Sequence, residues 1–258
     1  VVVDRGGLVA TNATLLSGAT GVVATTANGR RVRAQVLALD PTSDVGLVRV
    51  EADLPVARFV DWSEVQPGTG AVELAVATRP TGGTWSTWRD GTIASIGQPV
   101  GSGPGSGMVS VVAAVPEGTR PDGAVLMERD GAVVGLLDQT GASAGGHGAV
   151  YLPGEFVSEV ARELAAHGGQ IRHGWLGIEG SDAGRPRGAL VTSVSANGPS
   201  SGRLQPGDVI IAIDGRRVRS MADLRSRLYL LAPGTVVALT VRRATTTQVV
   251  DLSLAASP

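Results

Sequence analysis

Hydrolytic chemistry near pH 7 calls for a nucleophile and a base, and this sequence offers no thiol and only three histidines. It has no cysteine, which removes thiol catalysis, disulfides and Cys-ligated metal together. Its three histidines, His147, His167 and His173, are the side chains whose ordinary titration falls near neutrality. His147 ends a Gly-rich run, His167 closes a helical segment, and His173 precedes the Gly-bounded stretch "GWLGIEG". No metal site and no cofactor is expected. The stretch "TRPDGAVLMERDGAVVGLL", Thr119 to Leu137, has a second half that reads as a turn and a buried strand.

The 258 residues suggest two or three compact units, and a hydrophobic share of 43% is enough for real cores. The formal net charge is -1, so no basic surface is available to bind nucleic acid by counterion release. Every basic side chain outside the histidines is Arg. No apolar run approaches the roughly 20 residues of a membrane helix, and no signal peptide is visible.

The elements that must position any site begin with short β-rich runs up to about Leu137. "VVVDRGGLVAT" reads as strand, turn, strand. "GVVATTANGRRVRAQVLALD" reads as two strands about an Asn28-Gly29 turn, a strong hairpin signal. "DVGLVRV", "GAVELAVA", "GTIASIG", "MVSVVAAV" and "GAVVGLL" continue the series, which predicts an all-β barrel or sandwich. "IGQPVGSGPGSG" is expected to be a mobile loop. Trp85 and Trp88 alternate with polar residues and are expected on one strand face over the barrel. "PGEFVSEVARELAAHGG" places Phe156, Val157, Val160 and Leu164 on one helical face and stops at Gly168-Gly169. A second module of about eighty residues follows. Its helix, "SMADLRSRLYLLAPG", has Ser220 as N-cap, Asp223 at the capping-box spacing and Gly234 beyond a Pro stop.

The second module resembles a PDZ domain of the bacterial HtrA/DegP type. The residues that carry the likeness are Gly174-Trp175-Leu176-Gly177-Ile178, Gln205-Pro206-Gly207-Asp208-Val209-Ile210 and Ile213-Asp214-Gly215. The first 150 residues look like the protease half of the same family. "VVVDRGGLVATNATLL" corresponds to the strand-turn-strand that ends in Thr-Asn-x-His-Val-Val, "DPTSDVGLVRV" to the Asp-Ile-Ala-Leu-Ile segment, and "GAVYLP" to the Gly-Phe-Ala-Ile-Pro run. The resemblance implies a mainly β protein: a trypsin-like double six-stranded β-barrel with a small α+β PDZ domain. The implied boundaries are 1–66 for the first barrel, 67–153 for the second, 154–172 for a linker helix and 173–256 for the PDZ domain. The family's first barrel strand would lie upstream of Val1.

Trypsin-like hydrolysis needs a nucleophile, a base and a carboxylate that orients the base. Carried over by the resemblance, Asp44 keeps the carboxylate position and Thr14 stands where the family has histidine. A threonine hydroxyl cannot act as a general base at pH 7. The nucleophile loop of the family is Gly-Asn-Ser-Gly-Gly. Counting back from Gly131 puts Asp122 at the serine position. Aligning on Gly118 puts Arg120 there, with two inserted residues. On the first alignment Arg120 and Pro121 also fall where an inward N–H would serve the oxyanion, and proline has none. The triad positions Thr14, Asp44 and Asp122 are therefore read as degenerate, with no intact catalytic set. Two carboxylates at 44 and 122, if close, would share a proton as an acid dyad, and Arg120 is a candidate to neutralise them.

The resemblance implies peptide binding as well. A C-terminal segment would add as a strand beside Ile178, with its carboxylate on the N–H groups of Gly174, Trp175, Leu176 and Gly177. Leu176 and Ile178 would floor the pocket for an apolar terminal side chain, with Leu224 and Leu228 along its helical edge. Arg172 and His173 would add positive charge. The expected partners are peptides or protein C-termini and an active HtrA relative, with no nucleic acid. The implied setting is extracytoplasmic, periplasmic or anchored by a segment upstream of Val1. The expected role is a peptide-binding scaffold, chaperone-like holder or regulator. The alternatives are a serine-type endopeptidase of envelope quality control and a purely structural oligomerisation module.

Overall fold

The computed structural model describes residues 1–78, 83–99, 107–116, 120–138 and 148–256. It divides into two compact units, Val1–Gln170 and Ile171–Pro258.

The first unit opens with a four-stranded antiparallel sheet. Its strands are β1 (Leu8–Asn12), β2 (Val22–Thr25), β3 (Arg31–Asp40) and β4 (Val45–Val50), in the order β1-β4-β3-β2. This sheet has fewer strands than the six expected of a first barrel. After β4 the chain runs through Pro55 and Pro67 and a turn closed by Glu64 N–H on the Asp61 carbonyl, and proline cannot donate to a ladder. The β2–β3 hairpin turns at Asn28-Gly29, where Gly29 takes φ 79°. Leu16, Val32, Ala34, Val48 and Val50 form one core on a face of this sheet.

Six strands then close into a barrel: β5 (Gly70–Thr78), β6 (Thr84–Pro99), β7 (Val109–Ala114), β8 (Val125–Met127), β9 (Val133–Leu137) and β10 (Ala149–Pro153), in the order β10-β7-β6-β5-β8-β9. The segment expected as a loop contributes its first residues to β6, and residues 100–106 lie outside the described residues. The register pairs Leu74 with Trp88 and Ala77 with Trp85. Directly opposed residues share a face and neighbours on a strand alternate. The two tryptophans therefore lie on opposite faces, and Trp88 stands 62% exposed on the outside. Their odd spacing overrules the single face expected of them.

A short helix, α1 (Ala13–Leu16), follows β1, and α2 (Gly154–Ala166) follows β10. Helix α2 buries Phe156, Val157, Val160 and Leu164, the predicted face, and packs on β4 and β9. Gly168 and Gly169 take positive φ beyond its last turn, and the Gly169 N–H bonds the Leu164 carbonyl.

The second unit contains β11 (Gly174–Trp175), β12 (Ile178–Ala183), β13 (Gly188–Val194), β14 (Val209–Ile213), β15 (Arg216–Arg217), α3 (Met221–Tyr229), β16 (Val236–Arg243), β17 (Thr246–Ser253) and β18 (Ala255–Ala256). The main sheet runs β12-β13-β14-β16-β17, so among the described residues one edge of β12 has no strand beside it. The Ser220 hydroxyl caps α3 by accepting the Asp223 N–H at 3.0 Å. Asp223 returns a bond to the Arg219 N–H, one residue before the cap, and pairs with Arg227 at 3.1 Å.

Candidate functional site

Asp44 lies in the turn between β3 and β4 with φ 55° and no exposed surface. Its carboxylate is held by Asn12 and Thr14, where β1 passes into α1. Oδ1 accepts the Thr14 N–H at 2.9 Å, and Oδ2 accepts Asn12 Nδ2 at 3.0 Å and the Thr14 hydroxyl at 3.4 Å. Asn12 Nδ2 also donates to the Leu137 carbonyl at 3.0 Å, so the same knot ties β1 and the β3–β4 turn to the barrel. The sequence drew attention to Asp44 and Thr14 but not to Asn12, whose part depends on the distant Leu137. Asp44→Ala strands buried donors and is expected to cost about 1.5–3 kcal/mol. Urea unfolding checks it, and an unchanged midpoint would remove the carboxylate's structural role.

Asp122 is exposed, in a turn beside Gly123 at φ 79°. That loop comes against β1, since a Cβ on Gly123 would stand 3.6 Å from Thr11 Oγ1. Among the described residues no hydrogen bond joins Asp122 to Asp44 or Thr14, so the acid-dyad arrangement is not formed. Gly118, on which the other alignment rests, and His147 lie outside the described residues.

Arg120 does not neutralise Asp44 or Asp122. It turns to Glu73, a carboxylate with no exposed surface that lies on β5 between the core residues Ala71 and Ala75 and shares their face. Arg120 Nε donates to Glu73 Oε2 at 3.0 Å, and its Nη2 donates to the carbonyls of Val115 at 3.0 Å and Pro116 at 2.9 Å. Arg89 Nη1 takes Glu73 Oε1 at 2.7 Å, and the Tyr151 hydroxyl donates to Oε2 at 2.5 Å. Burial first, and the Glu73 hydrogen bond next, push the Tyr151 phenol well above its ordinary range. This network was not read from the sequence. Its one signal there is a charged residue in phase with two alanines of a β pattern.

In the second unit, Gly174, Trp175, Leu176 and Gly177 lead into Ile178 at the start of β12. The Gly174 N–H is already taken by the Leu231 carbonyl at 2.7 Å, so it is not a ligand donor as expected. The N–H groups of Leu176 and Gly177 donate to no backbone carbonyl outside the strand ladders among the described residues, while the Leu176 carbonyl accepts the Ser200 hydroxyl at 2.7 Å. Leu176, in the loop between β11 and β12, and Leu224, on α3, are each 1% exposed and belong to the core, because both side chains turn inward. They do not offer the surface expected of them. Ile178 on β12 and Met221 and Leu228 on α3 are partly buried apolar side chains packed against that core. Met221 packs where a side chain at Gly180 would stand. His173 stacks on Tyr229 with ring centroids 3.7 Å apart and donates from Nδ1 to the Tyr229 carbonyl at 3.0 Å.

The two loop glycines serve packing. A Cβ on Gly174 would meet Leu254 and lie 2.9 Å from the Leu231 carbonyl oxygen. A Cβ on Gly177, at φ 75°, would lie 2.9 Å from Gly198 Cα. Gly177→Ala is therefore expected to destabilise the second unit by about 1–3 kcal/mol. A thermal melt checks it, and a loss within measurement error would mean that the Gly198 segment yields.

No group of three or more His, Cys, Asp or Glu side chains suited to a metal occurs among the described residues. No described helix is long and apolar enough to cross a membrane.

Residues 1–136 match the trypsin-like peptidase domain. The chain belongs to that family. Residues 174–254 match the PDZ domain, and the pair in this order makes the chain an HtrA/DegP-type trypsin-like peptidase homologue. A probable periplasmic serine endoprotease DegP-like of Brucella suis biovar 1 is 26% identical over 275 residues, covering 100% of this chain and 52% of that protein. The protein of the same description from Pseudomonas fluorescens is 28% identical over 272 residues, covering 100% and 56%. The chain thus spans about half the length of the curated relatives it matches. Among solved structures, an HtrA-type protease AlgW with tripeptide superposes with a TM-score of 0.66 at 23% identity, covering 100% of this chain and 88% of that one. At that identity the likeness establishes the shared fold.

Proposed function

We propose that this HtrA-type chain is a pseudoprotease that binds peptides or protein C-termini through its PDZ domain. Its place is the bacterial envelope, as a scaffold, chaperone-like holder or regulator of an active relative. The observation that carries the loss of catalysis is the partner of Asp44. Where the family pattern Thr-Asn-x-His puts a base, the carboxylate holds the Thr14 hydroxyl, which cannot take a proton at pH 7. Asp122 at the serine position and Arg120-Pro121 before it remove the nucleophile and the oxyanion donors together. The division of labour is 1–66 and 67–153 for the two halves of the protease-like fold, 154–172 for the linking helix and 173–256 for the PDZ domain. The extracytoplasmic setting rests on relatives described as periplasmic.

Peptide binding is supported by the free edge of β12, which accepts an added strand. The N–H groups of Leu176 and Gly177 receive the terminal carboxylate, beside Trp175 and with Gly174 bracing the loop. Ile178 and Leu228 contact an apolar last side chain, over the buried Leu176 and Leu224. Affinity on the order of micromolar is expected from one short strand and one pocket. Amidating the peptide terminus should cost roughly 1.5–3 kcal/mol by removing charge-assisted bonds. Calorimetry of the intact chain with paired free-acid and amidated peptides decides it. Equal affinities would reject the carboxylate loop and favour the structural module.

The second reading, a serine endopeptidase, is favoured by the descriptions of the relatives. A fluorophosphonate probe separates the two. Stoichiometric labelling of any serine would establish the peptidase, and the pseudoprotease reading expects none.

A further inference from the structure

Two guanidinium groups share one buried carboxylate inside the barrel, and one of them is surplus. Glu73 has two oxygens and one negative charge. Arg89 occupies Oε1 at 2.7 Å, and the Tyr151 hydroxyl occupies Oε2 at 2.5 Å. These partners alone leave the carboxylate charge-balanced and hydrogen-bonded. Arg120 adds one bond of 3.0 Å from Nε to Oε2, and its Nη2 donors go to the Val115 and Pro116 carbonyls. Its departure would leave a neutral Glu73–Arg89 pair, whereas departure of Arg89 would strip Oε1. Arg120 also sits nearer solvent, its side chain 20% exposed against 14% for Arg89.

We propose that Glu73 and the carbonyls of Val115 and Pro116 form a guanidinium-binding pocket that Arg120 fills from within the chain. Arg120 is the resident of this pocket, and an arginine side chain of a bound peptide can replace it. The acceptor set selects for guanidinium. One carboxylate oxygen and two backbone carbonyls lie around a planar group with five fixed donors. An ammonium carries a point charge and cannot reach all three in that plane. The resident competes as a tethered ligand, with an effective concentration in the millimolar range. The intact chain therefore binds an added guanidinium weakly, and the site opens when Arg120 is truncated. The inference concerns the Arg120 side chain and its acceptors, whereas the function proposed above rests on the backbone at Arg120-Pro121, on Thr14, Asp44 and Asp122, and on the groove of the second unit, so the two stand or fall separately.

The test is chemical rescue of Arg120→Ala, with Arg120→Met as the companion that keeps part of the stem. Thermal melts are run with about 10 mM methylguanidinium, N-acetyl-arginine amide, or methylammonium at matched ionic strength. At that concentration a millimolar site should raise the Tm of both variants by several degrees, on the order given by mass action. The parent should shift clearly less than either variant, because its own Arg120 competes for the pocket, and methylammonium should do nothing selective. If a variant is unfolded in buffer, its recovery is followed by circular dichroism during the same titration. No guanidinium-selective shift or recovery in either variant would overturn the proposal. So would an equal response to methylammonium, or a response of the parent as large as that of the variants.

Discussion

Glu73→Ala is expected to lose about 3–5 kcal/mol of unfolding free energy, the usual cost of removing one partner from a buried ion pair. The substitution leaves the Arg89 and Arg120 guanidinium groups facing each other in the barrel and the Tyr151 hydroxyl without its acceptor. Urea unfolding followed by tryptophan fluorescence measures the loss. Glu73→Gln keeps the volume and one acceptor oxygen, so it should be milder. Replacing the set together, as Glu73→Leu with Arg89→Met and Arg120→Met, should recover most of the stability, because no buried charge is then left alone. A Glu73→Ala variant within about 0.5 kcal/mol of the parent, the ordinary scatter of surface substitutions, would mean that the network does not hold the barrel.

The second large effect concerns catalysis under the pseudoprotease reading. Thr14→His with Asp122→Ser rewrites two triad letters beside the native Asp44. Casein turnover by this double variant should nevertheless stay near background. The N–H two residues before position 122 belongs to Arg120, whose side chain is tied to Glu73, Val115 and Pro116. Pro121 offers no N–H. Adding Arg120→Gly and Pro121→Asn should raise the rate by about 10²–10³, the worth of one oxyanion donor. Substantial turnover by the double variant alone would show that the hole survives and would return the chain to the peptidases.

Legibility followed the range of the interactions. The Asn28-Gly29 turn, the buried stripe of α2 and the Ser220 cap of α3 were all readable, since each depends on neighbours within a few positions. Trp85 and Trp88 were misjudged together, because strand parity and register divide them between two faces. Leu224 and Leu228 were expected together along the helical edge of the pocket, yet packing makes Leu224 core while Leu228 reaches the margin. The glycines at 174 and 177 looked like a ligand loop, and a Cβ at either would collide with Leu254 and Leu231 or with Gly198.

The sequence by itself determined a mainly β chain with a separate C-terminal module, and its resemblance to the HtrA family implied that Thr14, Asp44 and Asp122 stand at the triad positions. Periodicity and turn chemistry act locally, so they survive in a string of letters. Only the tertiary structure decided what the charges do. Glu73 meets Arg89 sixteen positions away, Arg120 forty-seven away and Tyr151 seventy-eight away. Asn12 reaches the Leu137 carbonyl 125 positions on. Folding brings these groups together, and burial then makes the shared Glu73 and Asp44 carboxylates costly to lose, because water is not there to replace them.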